Sequence, residues 1–144
     1  MEALLSIVGF AAMMGGLIGL LANYSIFSPS PLVIAGQVLA LAMMLWARVT
    51  FGQRSFHLTA TPTEGGLVTT GPYRLVRHPI YASVCLFIFA SALGHPSLRT
   101  AVFASLVIIG VVIRALTEEK LVARQYPAYK DYAKRTKRLI PYVL

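Results

Sequence analysis

Apolar residues fall in four long runs, from Ala3 to Ala22, Pro31 to Ala47, Ile80 to Gly94 and Thr100 to Leu116, with short polar breaks between them. The first two approach the ~20 residues that a helix needs to cross the hydrocarbon of a bilayer. The third falls below the usual ~17–25 residues, and it crosses only if Pro79 to Leu98 is taken with its interfacial ends or if the bilayer thins locally. The breaks carry helix punctuation. Ser28-Pro29-Ser30-Pro31 separates the first pair, with Pro31 suited to a first helical turn, and Gly94-His95-Pro96-Ser97 reads as a tight hairpin in the second pair. Gly15 and Gly19, and likewise Gly36 and Ala40, are spaced as small-residue contacts that let membrane helices approach closely. The pattern predicts one all-α membrane domain over 1–144: an integral four-helix protein with its first two helices in 1–47, a polar loop, and a C-terminal amphipathic helix.

Composition strengthens this picture. Apolar residues make up 57 % of the chain and charged residues 12 %, about half of what a soluble domain carries. The mean hydropathy is +0.71. A net charge of +8 would suggest nucleic acid in a soluble protein, but here the basic residues sit beside apolar runs, where they set membrane orientation, and no nucleic-acid partner is expected. The single cysteine, Cys85, excludes an internal disulfide. Without a basic n-region or a small-residue cleavage site, the segment from Met1 reads as a retained membrane helix.

The basic residues also predict a topology. The first break has no Lys or Arg and the Gly94–Thr100 hairpin has only Arg99. Arg48, Arg54, Arg74 and Arg77 precede the third run, and Lys120, Arg124, Lys130, Lys134, Arg135, Lys137 and Arg138 follow the fourth. Both termini, the 50–77 segment and the tail are expected on the cytoplasmic side, where a water-soluble cofactor has access.

Two segments carry candidate chemistry. Gly65 to Tyr81 opens with turn-forming glycines and Gly71-Pro72, then places Pro79 at the first turn of the third helix with His78 at its cap. Unpaired N–H groups at that helix start, with Arg77 beside them, suit a carboxylate. The plainer reading is also available: Arg74 and Arg77 as membrane anchors, Tyr73 and Tyr81 as interfacial aromatics, and His78 as a capping residue. The second segment holds Arg114 and Glu118, four apart on one helix face, followed by Tyr129 and Tyr132 on a basic amphipathic helix that rests by default on anionic headgroups. Arg114 lies just before the end of an apolar run, so it must snorkel, pair or face a cavity. Arg ahead of Glu is the weaker order for a helix ion pair, which favours a shared polar cavity. No metal site is expected, and oligomeric state is left open.

Together, Gly71-Pro72-Tyr73, Arg77-His78-Pro79-Ile80-Tyr81, Glu118-Glu119, Tyr129, Tyr132 and Ile140-Pro141 resemble the isoprenylcysteine carboxyl methyltransferase family and the wider group of membrane phospholipid methyltransferases. The resemblance covers 64–142. It implies S-adenosylmethionine as cofactor, contacted by Gly65, Gly66, Leu67, Val68, Tyr73, His78, Pro79, Ile80, Tyr81 and Glu118, with Arg77 adjoining. It also implies that Arg114 orients the carboxylate of a small or lipidic, prenylcysteine-like acceptor. The chain departs from the family at Tyr126-Pro127, where Phe-Gly is usual, and at His95-Pro96, where Asn-Pro is common. Other readings are a phospholipid N-methyltransferase, a sterol-type NADPH reductase (those relatives usually carry Asn where this chain has Ile80) and a non-catalytic membrane scaffold.

Overall fold

A computed structural model describes residues 1–52 and 66–140. The described chain is helical, with no strand and one isolated parallel bridge between Val76 and Lys137. Helix α1 spans Glu2–Ala22, α2 Pro31–Phe51, α3 Pro79–Gly94, α4 Leu98–Gln125 and α5 Tyr129–Arg135, with a short 3₁₀ turn at Gly71–Arg74. Pro31 and Pro79 both stand in the first helical turn, as their fixed φ and missing N–H favour. Ser97 caps α4 by accepting from the Thr100 N–H at 3.1 Å.

Three helices, α1, α2 and α4, are long and apolar enough to cross a membrane. At 1.5 Å per residue, the 21 residues of α1 and of α2 cover about 31 Å, a match to the ~30 Å hydrocarbon. The 16 residues of α3 reach only about 24 Å. The four expected helices are present, and α3, whose crossing the sequence left open, is shorter than the ~30 Å hydrocarbon. In contrast, α4 exceeds its apolar run: 28 unbroken residues give about 42 Å and carry Glu118 and Glu119 past the apolar stretch. The outward faces of α1 and α2 expose Leu4, Ile7, Ile18, Leu32, Leu41 and Leu45, side chains that favour lipid contact over water.

The packing order is α2–α3–α4–α1, with α1 held on α4 and α2 on α3. Helices α1 and α2 are joined by a short link but scarcely touch. Close approach of α1 to α4 depends on glycine. A Cβ on Gly16 would sit 2.6 Å from the Phe103 carbonyl oxygen, and one on Gly9 3.0 Å from the Gly110 oxygen. Gly15, expected in this contact, faces open space, whereas Gly19 and Gly36 do pack, against Phe103 and Ala90. Leu20, Ile26, Ile88, Ala104, Val107 and Val111 form the apolar core.

Candidate functional site

The start of α3 is fixed from two sides. Gly71 has φ +55°, and a side chain there would run into Thr50 Oγ1 at 2.7 Å, so glycine is required for the 3₁₀ turn to dock on the end of α2. This docking buries Tyr73, whose ring packs on Phe51 at 5.5 Å. From the other side the C-terminal tail pairs with the chain just ahead of the helix. The N–H of Arg77 donates to the Lys137 carbonyl at 2.7 Å and that of His78 to Arg138 at 3.1 Å. The first N–H bonded back to the cap is that of Ala82, to the His78 carbonyl at 2.9 Å. Pro79 has no N–H, so Ile80 and Tyr81 supply the helix-start donors that lack a backbone partner among the described residues.

Successive residues on a helix diverge by about 100°, and this separates the two adjacent carboxylates of α4. Glu119 turns to the tail. It accepts from Arg77 Nε at 2.8 Å and from Arg138 through Nε at 3.0 Å and Nη2 at 2.8 Å. Arg77 Nη1 also donates to the carbonyls of Ala133 (3.0 Å) and Thr136 (2.5 Å). Arg77 therefore fastens the tail, a role that its expected place beside a ligand carboxylate did not include.

Glu118 turns inward. It accepts a hydrogen bond from the Tyr81 hydroxyl, lies 3.6 Å from Arg114 Nη2, and approaches His78 Nδ1 at 3.7 Å. The Tyr81 oxygen in turn accepts from Arg114 Nε at 2.9 Å. Arg114 is buried at 5 % exposure, with its guanidinium carbon 5.4 Å from the centroid of the Phe10 ring. The direct Arg114–Glu118 contact is long. Tyr81, from another helix, bridges the two, so a simple intrahelical ion pair does not describe this arrangement. The His78 ring stacks on Tyr81 at 5.6 Å, and its Nε2, buried 3.3 Å from Glu119 Oε1, has no aligned hydrogen-bond partner among the described residues.

Tyr132 donates to the Tyr73 carbonyl at 2.6 Å and lies edge-on to Tyr129 at 6.0 Å. Burial pushes the Tyr132 phenol up to about 12 and raises Tyr73 and Tyr129 as well, the anions of nearby groups adding to the shift for Tyr73 and Tyr129. All three stay protonated donors through the neutral range. The Arg138 guanidinium is held more firmly protonated by its hydrogen bonds to Glu119. Leu67, Arg74, Ala128, Tyr132, Arg135 and Thr136 line an open groove of about 510 Å³ between the 3₁₀ turn and α5.

Of the residues expected at a site, His78, Tyr81, Arg114 and Glu118 meet directly, with Pro79 and Ile80 in the same helical turn. Tyr73 is buried close enough for Glu118 to act on its phenol. Gly66, at φ +83°, and Val68 lie in the stretch leading to the turn, and Leu67 lines the groove. Gly65 is outside the described residues. Sequence reasoning missed Phe10, Glu119 and Arg138. Phe10 stands in an apolar run with nothing to set it apart. Glu119 and Arg138 could have been paired by asking how a buried carboxylate beside a basic tail is neutralised.

The family model for phospholipid methyltransferase matches residues 30–129. Among curated proteins, the chain is 40 % identical over 80 residues to the nickel-cobalt-cadmium resistance protein NccN of Alcaligenes xylosoxydans xylosoxydans, covering 52 % of this chain and 36 % of that one. It is 33 % identical over 121 residues to the cobalt-zinc-cadmium resistance protein CzcN of Cupriavidus metallidurans, covering 78 % of this chain and 50 % of that one. The chain thus spans no more than half the length of these curated relatives. No solved structure matches it. With a match over 100 residues that takes in α2, α3, α4 and the polar cluster between them, the chain belongs to the phospholipid methyltransferase family, within the isoprenylcysteine/phospholipid methyltransferase group of membrane proteins.

Proposed function

We propose that this chain moves a methyl group from S-adenosylmethionine to a carboxylate on a small or lipidic thioether acceptor, at the polar end of α3 and α4. The observation that carries this reading is the buried chain of contacts Arg114–Tyr81–Glu118, which links a fixed cation to a fixed carboxylate at one helix junction. The residues suit the cofactor. Glu118 is 26 % exposed at its side chain and its Oε2 lies 3.7 Å from His78 Nδ1, beyond hydrogen-bond distance, so it can accept from the ammonium or the ribose hydroxyls. The N–H groups of Ile80 and Tyr81 suit the cofactor's carboxylate. Leu67 and Val68, with Gly65 and Gly66 before them and Tyr73 and Pro79 beyond, complete the set of contacts.

When bound, the cofactor supplies an electrophilic methyl on a sulfonium. The protein's part is placement, worth roughly 7–11 kcal/mol when both reactants are held in attack geometry. Tyr81 and Phe10 hold the Arg114 guanidinium, which orients the acceptor carboxylate by a paired hydrogen bond that lysine does not reproduce. A carboxylate is already ionised at neutral pH and needs no base. The reading sets the site and both termini of a multi-pass chain on the cytoplasmic face, by the distribution of Lys and Arg. The metal-resistance names belong to the relatives and enter this reading only as a physiological setting.

A second reading, phospholipid N-methylation, is favoured by the family description itself. An amine must lose a proton before attack, so it predicts a rate that rises with pH. The buried Arg114 cation opposes an ammonium nearby and favours the carboxylate. The test is purification in detergent, calorimetry with S-adenosylmethionine, and a methyl-transfer screen of prenylcysteine analogues against aminophospholipids. Binding with carboxylate methylation and a flat pH–rate profile upholds the proposal. Amine methylation with a basic limb replaces it with the second reading, and binding of reduced nicotinamide instead of S-adenosylmethionine overturns both.

A further inference from the structure

The groove between the 3₁₀ turn and α5 shares Leu67 with the proposed cofactor contacts, but none of the Arg114–Glu118 cluster lines it and its chemistry is of another kind. Its walls come from three stretches of chain: Leu67 and Thr69 ahead of the turn, Arg74 on the turn, and Ala128 to Thr136 around α5. The two cations, Arg74 and Arg135, are both exposed, and no carboxylate lines the groove among the described residues. Two neighbouring cations are engaged elsewhere: Lys134 pairs with Asp131 at 2.8 Å and Arg138 with Glu119 at 2.8 Å. Arg135 makes one bond, Nε to the Asp131 carbonyl at 3.4 Å, and Arg74 has no side-chain partner among the described residues.

The walls are held in place before anything binds. Tyr132 donates to the Tyr73 carbonyl at 2.6 Å, Thr136 Oγ1 donates to the Tyr132 carbonyl at 2.8 Å, and the Val76–Lys137 bridge ties the tail to the turn. Two arginines, with the Thr69 hydroxyl beside them, around a concavity whose walls are tied together match the oxygens of a phosphodiester. The surroundings select its source. Leu75, next to Arg74, is 41 % exposed, and Ile140 beyond the tail pairing is 51 % exposed. Apolar side chains flanking a cationic hollow suit an amphiphile at a membrane surface better than a free anion in water.

We infer that this groove binds the headgroup phosphate of an anionic phospholipid, through Arg74 and Arg135 with Thr69 beside them. The site docks α5 and the tail on the bilayer surface, and it does not depend on the methyl-transfer reading. The test uses the full chain in mixed micelles holding phosphatidylglycerol and phosphatidylcholine in equal amounts, with retained lipid counted by native mass spectrometry. Wild type should retain phosphatidylglycerol selectively. R74Q/R135Q should lose that retention by roughly fivefold for each arginine removed. K130Q/K137Q, which removes the same charge from exposed positions outside the groove, should stay within about twofold of wild type on the same scale. Both pairs are exposed, and circular dichroism checks that each variant keeps its helices. Unchanged retention in R74Q/R135Q overturns the inference. So does an equal loss in K130Q/K137Q, which would mean diffuse charge attraction. Full displacement of the lipid by inorganic phosphate at matched concentration also overturns it, because the groove would then be a free-anion site.

Discussion

At the end of the helix row where α1 leads into α2, the buried polar side chains are neutral and satisfied. Gln37 donates to the Ile26 carbonyl at 2.6 Å and to Ser91 at 3.0 Å, and Thr100 donates to Ser25 at 2.9 Å, which also takes a bond from Asn23 at 2.7 Å. At the other end the groups are charged, three arginines against two glutamates with a histidine between, and buried atoms such as His78 Nε2 and Tyr129 Oη lack a partner among the described residues. Apart from the partly exposed Arg138 and Glu118, the side chains at both ends are largely buried. A closed network of neutral bonds there fixes geometry and has no further valence to offer. Ionised groups in such surroundings are costly, and their retention marks a task beyond folding. The contrast also divides the charged end itself, Glu119 serving the fold and Glu118 the candidate site.

Substitutions at each end sharpen the contrast. The largest loss of stability is expected from Glu119→Ala, which leaves Arg77 and Arg138 without their counter-charge. Breaking such a pair from one side costs about 3–5 kcal/mol when it is fully buried, and less here because Arg138 is partly exposed. Release of the tail should appear as rapid proteolysis near Thr136. If the tail stays protected, Glu119 is not its anchor. Arg114→Ala comes next, with turnover reduced about 10²–10³-fold and S-adenosylmethionine affinity preserved, while Glu118→Ala abolishes cofactor binding. Calorimetry giving equal affinity for wild type and Glu118→Ala would falsify the division of roles.

At the neutral end, Gln37→Met should lower stability by about 0.6–1.7 kcal/mol, the range for hydrogen bonds within membranes, and leave cofactor affinity unchanged. An affinity change there would mean that the two ends are coupled. The smallest effect is a pH dependence. Tyr132 has its folded pKa raised to about 12 by burial, above the ~10 of an unfolded phenol. Its contribution is therefore present below pH ~10 and lost as pH rises from there towards the folded value. Thermal midpoints of wild type should fall more steeply than those of Tyr132→Phe across that window, and parallel curves would exclude Tyr132 as the source.

The helices were legible because apolar runs, Pro31 and Pro79 act locally. The hidden features are relational. Gly15 and Gly16 look alike in a sequence, and only the rotation of α1 on α4 decides that Gly16 meets the Phe103 carbonyl. Likewise Glu118 and Glu119 are the same residue type one step apart, and their divergence is set by where the tail returns. Arg114 and Tyr81 could be named because a charge at the end of an apolar run demands a partner, but which partner it takes is a matter of helix order.

That order bears on biosynthesis. Phe10 belongs to α1, and Arg114, against which it lies, to α4, with α2 and α3 synthesised in between. Helix α1 scarcely touches α2, so it waits through the synthesis of α2 and α3 before its partner emerges from the ribosome. A nascent chain halted before α4 therefore has no assembled polar cluster, which forms only in molecules whose insertion has run through to that helix.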